Sequence, residues 1–185
     1  MRIITGSAKG CNLKTPKGMS TRPTSDRVKE SLFSILGSDA CGRVLDIFSG
    51  FGGLGLEALS RGADSCTFID KATTEIIADN AKHTRLADKC QILKGDVFAQ
   101  LRRLETAGQQ FDLVFCDPPY HQGLAHRALE QLENSQLLAP DAIVIMEYGG
   151  DEPELPATTS LQLVKKQQYG KTTQINFYHL PVEEG

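Results

Sequence analysis

The stretch V-L-D-I-F-S-G-F-G-G-L-G, Val44 to Gly55, decides the fold. It opens as a short apolar run, Val44-Leu45-Asp46-Ile47-Phe48, and then meets four glycines within six residues, at 50, 52, 53 and 55. Such a run, closed by such punctuation, reads as a buried strand entering a tight loop. Apolar residues then resume at helical spacing through Leu56, Ala58 and Leu59, and Gly62 ends the pattern. Strand, glycine loop and helix make the first unit of an open α/β sheet. Gly50, Gly52 and Gly55 satisfy G-x-G-x-x-G, which permits a tight turn and close approach of a ligand to the backbone.

The alternation repeats downstream. Strands are expected at Ser65 to Ile69, Cys90 to Lys94, Phe111 to Cys116 and Ala142 to Glu147. Helices are expected at Thr74 to Leu86, Phe98 to Leu104 and Leu124 to Leu132. Residues 149–157 read as an exposed loop. Leu161 to Gln168 and Gln174 to Leu180, separated by Tyr169-Gly170-Lys171, read as an antiparallel hairpin closing the sheet. Repeated strand–helix units imply a mostly parallel sheet with helices on both faces, a three-layer α/β domain. In front of it, residues 2–15 suggest a β-hairpin or a pair of arms. Thr24 or Ser25 would cap a helix through Val28, Leu32, Phe33 and Leu36, stopped by Gly37. Residues 1–37 thus form a basic N-terminal extension, and 38–185 the α/β domain.

Composition narrows the class. A chain of 185 residues, 40% hydrophobic and 23% charged, is long enough for one domain with its own core. No apolar run is long enough to span a bilayer and no signal peptide is visible, so a cytoplasmic protein without a membrane partner is expected. Five scattered cysteines and four histidines lack metal-ligand spacing, so no metal is expected and the thiols read as reduced. The net charge of −3 is uneven. Residues 1–37 carry seven Lys or Arg against two acids, and the remainder carries thirteen against twenty-one. A basic leading segment on an acidic body points to one local polyanion contact. Nothing demands more than a monomer.

Three strand ends carry one carboxylate each. Asp46 is expected in the turn four residues before Gly50, and Asp70 ends the second strand, where a carboxylate binds ribose hydroxyls. Asp96 ends the third strand, placed to accept from an adenine amine with Val97 against the ring. Each acid alone also reads as a helix N-cap following a strand. Together with Ser49, Gly50 and Gly52 they suit a ligand with an ammonium, a ribose and an adenine amine but no phosphate, namely S-adenosylmethionine. The glycine pattern alone would equally fit a nicotinamide dinucleotide.

The fourth strand runs into Asp117-Pro118-Pro119-Tyr120. Proline fixes φ, lacks an N–H and holds the preceding residue extended. This tetrapeptide is therefore stiff, cannot start a helix, and offers a carboxylate, bare carbonyls and an aromatic face at the carboxyl end of a strand. Open α/β sheets bind ligands there. A clamp for a planar exocyclic amine fits: Asp117 and the Pro118 carbonyl accept from the amine, Pro119 stiffens, and Tyr120 stacks on the base. His121, just beyond, reads as a solvated loop histidine.

The chain resembles the S-adenosylmethionine-dependent methyltransferases. It looks specifically like the bacterial family that methylates the guanine N2 amine in small-subunit (16S) ribosomal RNA. The motifs are M-R-I-I-T-G-S-A-K-G at 1–10, T-R-P-T-S-D-R-V-K-E-S-L-F at 21–33, D-I-F-S-G-F-G-G-L-G-L-E-A-L-S-R-G-A at 46–63, F-D-L-V-F-C-D-P-P-Y at 111–120 and Y-G at 169–170. The resemblance implies a Rossmann-like methyltransferase sheet and a 16S rRNA substrate within an assembled small subunit. Two positions depart from the family pattern. Phe51 stands where a small hydroxylated residue is common, and Asp70 where Glu is frequent.

Arg2, Lys9, Lys14, Lys17, Arg22, Arg27 and Lys29 are candidate phosphate contacts. The Arg22-Pro23-Thr24 turn is a candidate lid over cofactor or base. Rival readings are a DNA adenine-N6 methyltransferase, a nicotinamide-dependent oxidoreductase and a non-catalytic RNA-binding module.

Overall fold

The computed structural model describes residues 1–17 and 26–182. Seven strands form one sheet: β1 (Arg43–Ile47), β2 (Ser65–Asp70), β3 (Cys90–Lys94), β4 (Phe111–Cys116), β5 (Leu138–Gly149), β6 (Gln162–Tyr169) and β7 (Thr173–His179). Their spatial order is β3-β2-β1-β4-β5-β7-β6. The first five pair in parallel, while β7 runs antiparallel to both β5 and β6. The helices are α1 (Asp26–Leu36), α2 (Gly53–Ser60), α3 (Thr74–His83), α4 (Val97–Thr106) and α5 (Leu124–Glu133).

Why the strands read as near-continuous apolar runs is visible in the two cores. Leu113 and Phe115 of β4 join a core with Leu32 and Phe33 of α1, Leu56 and Leu59 of α2, and Ile77 of α3. Val114 and Cys116, pointing the other way, join one with Leu101 of α4 and Leu129 of α5. A parallel strand covered on both faces has no polar side to display. The Rossmann-like three-layer sheet with a C-terminal antiparallel hairpin is thus as the sequence implies. β6 forms one edge, and its exposed lysines, Lys165 and Lys166, suit an unpaired edge.

Differences lie at element ends. β5 begins four residues before the expected Ala142, through Pro140 and Asp141, because β4 and β5 shift register between Phe111 and Leu113. Asp141 adopts φ of 65° at that irregularity. The expected long third helix stops at His83, and Ala87–Lys89 forms a separate 3-10 turn after Arg85 at φ 61°.

The expected N-terminal hairpin is a loop closed by a single antiparallel bridge, Arg2 to Asn12, with Ile3 N–H donating to the Cys11 carbonyl and Gly10 N–H to that of Ile3. Ile3, Ala8 and Leu13 of this loop are buried in the same core as α1 and α2. The expected caps Thr24 and Ser25 lie outside the described residues.

A buried ion network fastens this loop. Glu57 of α2 is 0% exposed, and its carboxylate accepts from the backbone N–H groups of Ile4 and Thr5. Lys29 of α1, also 0% exposed, places Nζ 3.2 Å from Glu57 and donates to the Arg2 carbonyl at 2.5 Å. Arg61 closes the network at 2.9 Å from Glu57. Lys29 is therefore corrected as a phosphate contact: its ammonium is enclosed and paired, and burial holds its pKa below the usual lysine value despite Glu57.

Removing one partner of such a pair strands the other charge away from water. Glu57→Gln should lose about 3–5 kcal/mol of stability, measured by urea unfolding. Adding Lys29→Met to that variant should recover most of the loss. Unchanged stability in Glu57→Gln alone would contradict this account.

Candidate active site

The carboxyl ends of β1 to β4 open into one cleft of about 950 Å³. Asp46, Ser49 and Gly50 line it from the first unit, Asp70 from the second, Asp96 and Val97 from the third, and Asp117 to Tyr120 from the fourth. The sequence-derived cofactor set and the clamp thus share one cavity. The exception is Gly52, which is not among the lining residues.

Each acid also does local structural work. Asp46 lies within β1, as the strand reading of 44–48 has it and contrary to its placement in the turn, and is 2% exposed. Its Oδ2 accepts from Gly55 N–H at 2.9 Å, in the first turn of α2. The residue before α2, Gly52, offers no side-chain cap, so Asp46 fills that role from the strand. Burial, reinforced by the charge of Asp70, pushes the Asp46 carboxyl up to about 8. Asp70 binds the glycine loop through Gly50 N–H (2.9 Å) and the start of α3 through the Ala72 and Thr73 N–H groups. Asp96 is a helix N-cap, accepting from Ala99 N–H at 2.9 Å.

The glycine loop is pinned from several sides. Ser49 Oγ donates to the Asp46 carbonyl at 2.5 Å and accepts from Ile69 N–H at 3.0 Å. Thr73 Oγ1 donates to the Gly50 carbonyl. Gly50 and Gly52 take left-handed φ values of 58° and 85°, and a Cβ on Gly50 would meet nothing within 4 Å beyond its chain neighbours. The third glycine serves packing, since a Cβ on Gly55 would sit 2.4 Å from the Phe68 ring. Phe51, the departure noted above, is buried, with its ring against Gly53. Its carbonyl accepts from Asn80. Asn80, fully buried on α3, also exchanges two hydrogen bonds with the Lys14 backbone.

On the apolar side, Phe48, Val97, Phe98 and Leu124 line the cleft. Phe48 turns out of β1 at φ 57° and meets Phe98 edge-on at 6.1 Å. The Arg127 guanidinium lies 3.8 Å from the centre of the Phe98 ring.

The clamp carries a partner that sequence reasoning missed. Tyr120 O–H donates to Glu147 Oε1 at 2.7 Å and lies 3.3 Å from Thr173 Oγ1. Burial first, and then the Glu147 charge, push the phenol well above its ordinary value. Pro118 is buried and Asp117 half-buried, while Pro119 is exposed. After the clamp His121 takes φ 62°, with its N–H donating to Glu152 Oε1, whose Oε2 accepts from Gly149 N–H. Glu147 lies within β5 as an isolated acid in an apolar run, I-M-E-Y, and that interruption was the available signal.

Of the candidate phosphate contacts, Lys9, Lys17 and Arg27 are exposed. Arg2 is 3.5 Å from Asp26, and Lys14 is 3.0 Å from Asp79, both on the surface. Arg22 and Thr24 lie outside the described residues. The described cysteines are all free thiols, with Cys66 and Cys116 buried and Cys41 exposed. Among the described residues no helix is long and apolar enough to cross a membrane.

Comparison with known proteins places this geometry in a family. The model described as "Conserved hypothetical protein 95" matches residues 1–179. The Bacillus subtilis protein named "Putative rRNA methyltransferase YlbH" is 39% identical over 177 residues, covering 93% of this chain and 95% of the relative. Ribosomal RNA small subunit methyltransferase D of Haemophilus influenzae is 37% identical, covering 97% of this chain and 92% of its own length. A solved structure of a hypothetical protein from Thermus thermophilus superposes with a TM-score of 0.83 at 28% identity, covering 98% of this chain and 99% of that one. The chain belongs to the Conserved hypothetical protein 95 family, and its relatives include the small-subunit ribosomal RNA methyltransferases D.

Proposed function

We propose that this protein transfers a methyl group from S-adenosylmethionine to the exocyclic N2 amine of a guanine in 16S rRNA. The observation that carries the reading is the convergence of three strand-end carboxylates and the Asp117–Tyr120 clamp on one cleft. The relatives are named for ribosomal RNA, so the DNA adenine alternative is set aside. The arrangement at the first helix N-terminus disfavours the oxidoreductase alternative. A pyrophosphate needs free N–H groups at the first helix N-terminus, and there Gly55 N–H already binds Asp46.

The residues present fit S-adenosylmethionine. Asp46 and the Gly50 loop would hold the amino-acid end, Asp70 the ribose, and Asp96 with Val97 and Phe98 the adenine. When bound, the cofactor supplies an electrophilic methyl group on a sulfonium. The protein's task is then to present a poor nucleophile, an amine whose lone pair is delocalised into the base. Asp117 and the Pro118 carbonyl accept its two N–H groups and favour positive charge building on nitrogen. The paired prolines keep these acceptors in place before the base arrives, and Tyr120, tethered to Glu147, offers its face to a base removed from its stack. As the nitrogen–carbon bond forms and the sulfur–carbon bond breaks, the amine gives up a proton that Asp117 is placed to accept.

Residues 1–37 serve in this reading as the RNA-facing extension of the 38–185 domain. Arg2, Lys9, Lys14, Arg22, Thr24 and Arg27 meet phosphates or the target strand. The enzyme acts in the cytoplasm as a monomer, on rRNA already folded within an assembled small subunit, where the particle itself positions the guanine.

Labelled S-adenosylmethionine incubated with unmethylated small subunits should yield N2-methylguanosine on nucleoside analysis. Label appearing only as N6-methyladenine in DNA would discard the substrate. Asp117→Ala should reduce transfer on the order of 10²–10³-fold, while calorimetry shows S-adenosylhomocysteine binding within a few-fold of wild type.

A pH dependence also follows. With a carboxyl near 8, Asp46 holds its proton at neutral pH in the free protein, and a neighbouring ammonium favours the ionised form. Cofactor binding therefore releases a proton below about pH 8, and affinity rises with pH from about 6 to 7.5. Calorimetry in buffers of different ionisation enthalpy should detect the proton, and Asp46→Asn should abolish its release.

A further inference from the structure

We propose that Glu147 makes the enzyme specific for guanine, its carboxylate accepting the N1–H of the target base beside the amine held by Asp117. The inference rests on the reading of the cleft as a guanine N2-methyltransferase site.

β4 and β5 are neighbours with Cys116 opposite Met146. One residue on come Asp117, just past the end of β4, and Glu147 of β5, so continuing the register puts the two acids next to each other, and both line the cleft. Glu147 is 7% exposed, and its Oε1 is held by the Tyr120 hydroxyl at 2.7 Å, with Thr173 Oγ1 backing that phenol. Burying a carboxylate is costly, and a carboxylate that accepts from the Tyr120 hydroxyl keeps acceptor capacity for a further donor. A carboxylate in the cleft wall is the stronger acceptor for an N–H of the substrate.

Guanine presents two adjacent donors on one edge, N1–H and the N2 amine. Asp117 and Glu147 present two adjacent acceptors. Adenine would instead turn the bare N1 lone pair toward a carboxylate, setting two acceptors against each other in the buried end of the cleft. A site built to receive a hydrogen-bond donor rejects bases that lack it far more strongly than a shape filter does. Tyr120 then acts twice, stacking the base and fixing the acceptor that reads it.

The test is single-turnover methyl transfer to small subunits reconstituted with either guanine or 2-aminopurine at the methylated nucleotide. 2-Aminopurine keeps the reacting amine but has an acceptor at N1. Wild type should favour guanine by on the order of 10- to 100-fold or more. Glu147→Gln, whose amide donates to N1, should narrow that ratio to a few-fold or invert it. If the variant slows both substrates equally and the ratio stands, Glu147 only anchors Tyr120 and the proposal is overturned. Should Glu147→Gln fail to fold, wild type still decides: equal rates on the two bases overturn the proposal without any variant. Absence of N2-methylguanosine from guanine subunits with wild type would instead defeat the underlying functional reading.

Discussion

The buried carboxylate of Glu57 is the interaction on which the rest of the structure depends. It accepts two backbone N–H groups of the N-terminal loop, pairs with Lys29 of α1 and bonds Arg61 at the end of its own helix. Segments distant in sequence are thereby locked onto α2. That helix begins at the glycine loop, so the N-terminal loop and α1 are fastened next to one wall of the cleft. Asn80 repeats the arrangement from α3, binding both the Lys14 backbone and the Phe51 carbonyl of the glycine loop. A substrate gripped by the extension and a cofactor seated on the loop would thus share one frame.

The acids at the strand ends resolve what looked like a choice between two explanations. Asp46, Asp70 and Asp96 each satisfy backbone N–H groups at a helix start or a tight loop, and each lines the cleft. These roles do not compete, because a carboxylate has acceptor capacity for more than one donor. The helix dipole and orphan amides orient the carboxylate, and a carboxylate so oriented is preorganised for a ligand. The same economy recurs at the clamp, where Glu147 fixes Tyr120 from a neighbouring strand.

Much of this was legible in the chain. Mainly hydrophobic runs between helical patterns marked β1 and β4, because strands covered on both faces are apolar on both sides. The stiffness of Pro118-Pro119 follows from covalent structure and survives any tertiary context. The boundaries that moved have local causes. β5 lengthened through Pro140 and Asp141 by a register shift against β4, and the third helix ended early where Arg85 entered a left-handed conformation.

The sequence by itself determined the sheet class, the glycine loop and the acidic strand ends, since these rest on short-range periodicity and on residues whose backbone limits are intrinsic. Tertiary structure alone decided the partnerships. Glu57 with Lys29, Asn80 with Lys14, and Tyr120 with Glu147 join residues 27 to 66 positions apart, and no local pattern encodes which distant segment a parallel sheet will bring alongside. It also decided that Asp46 meets the first turn of α2, because the packed helix brings Gly55 N–H to its carboxyl. A charged residue looks like surface in a sequence. Burial and a precise partner make it structural or functional, and both are properties of the assembled fold.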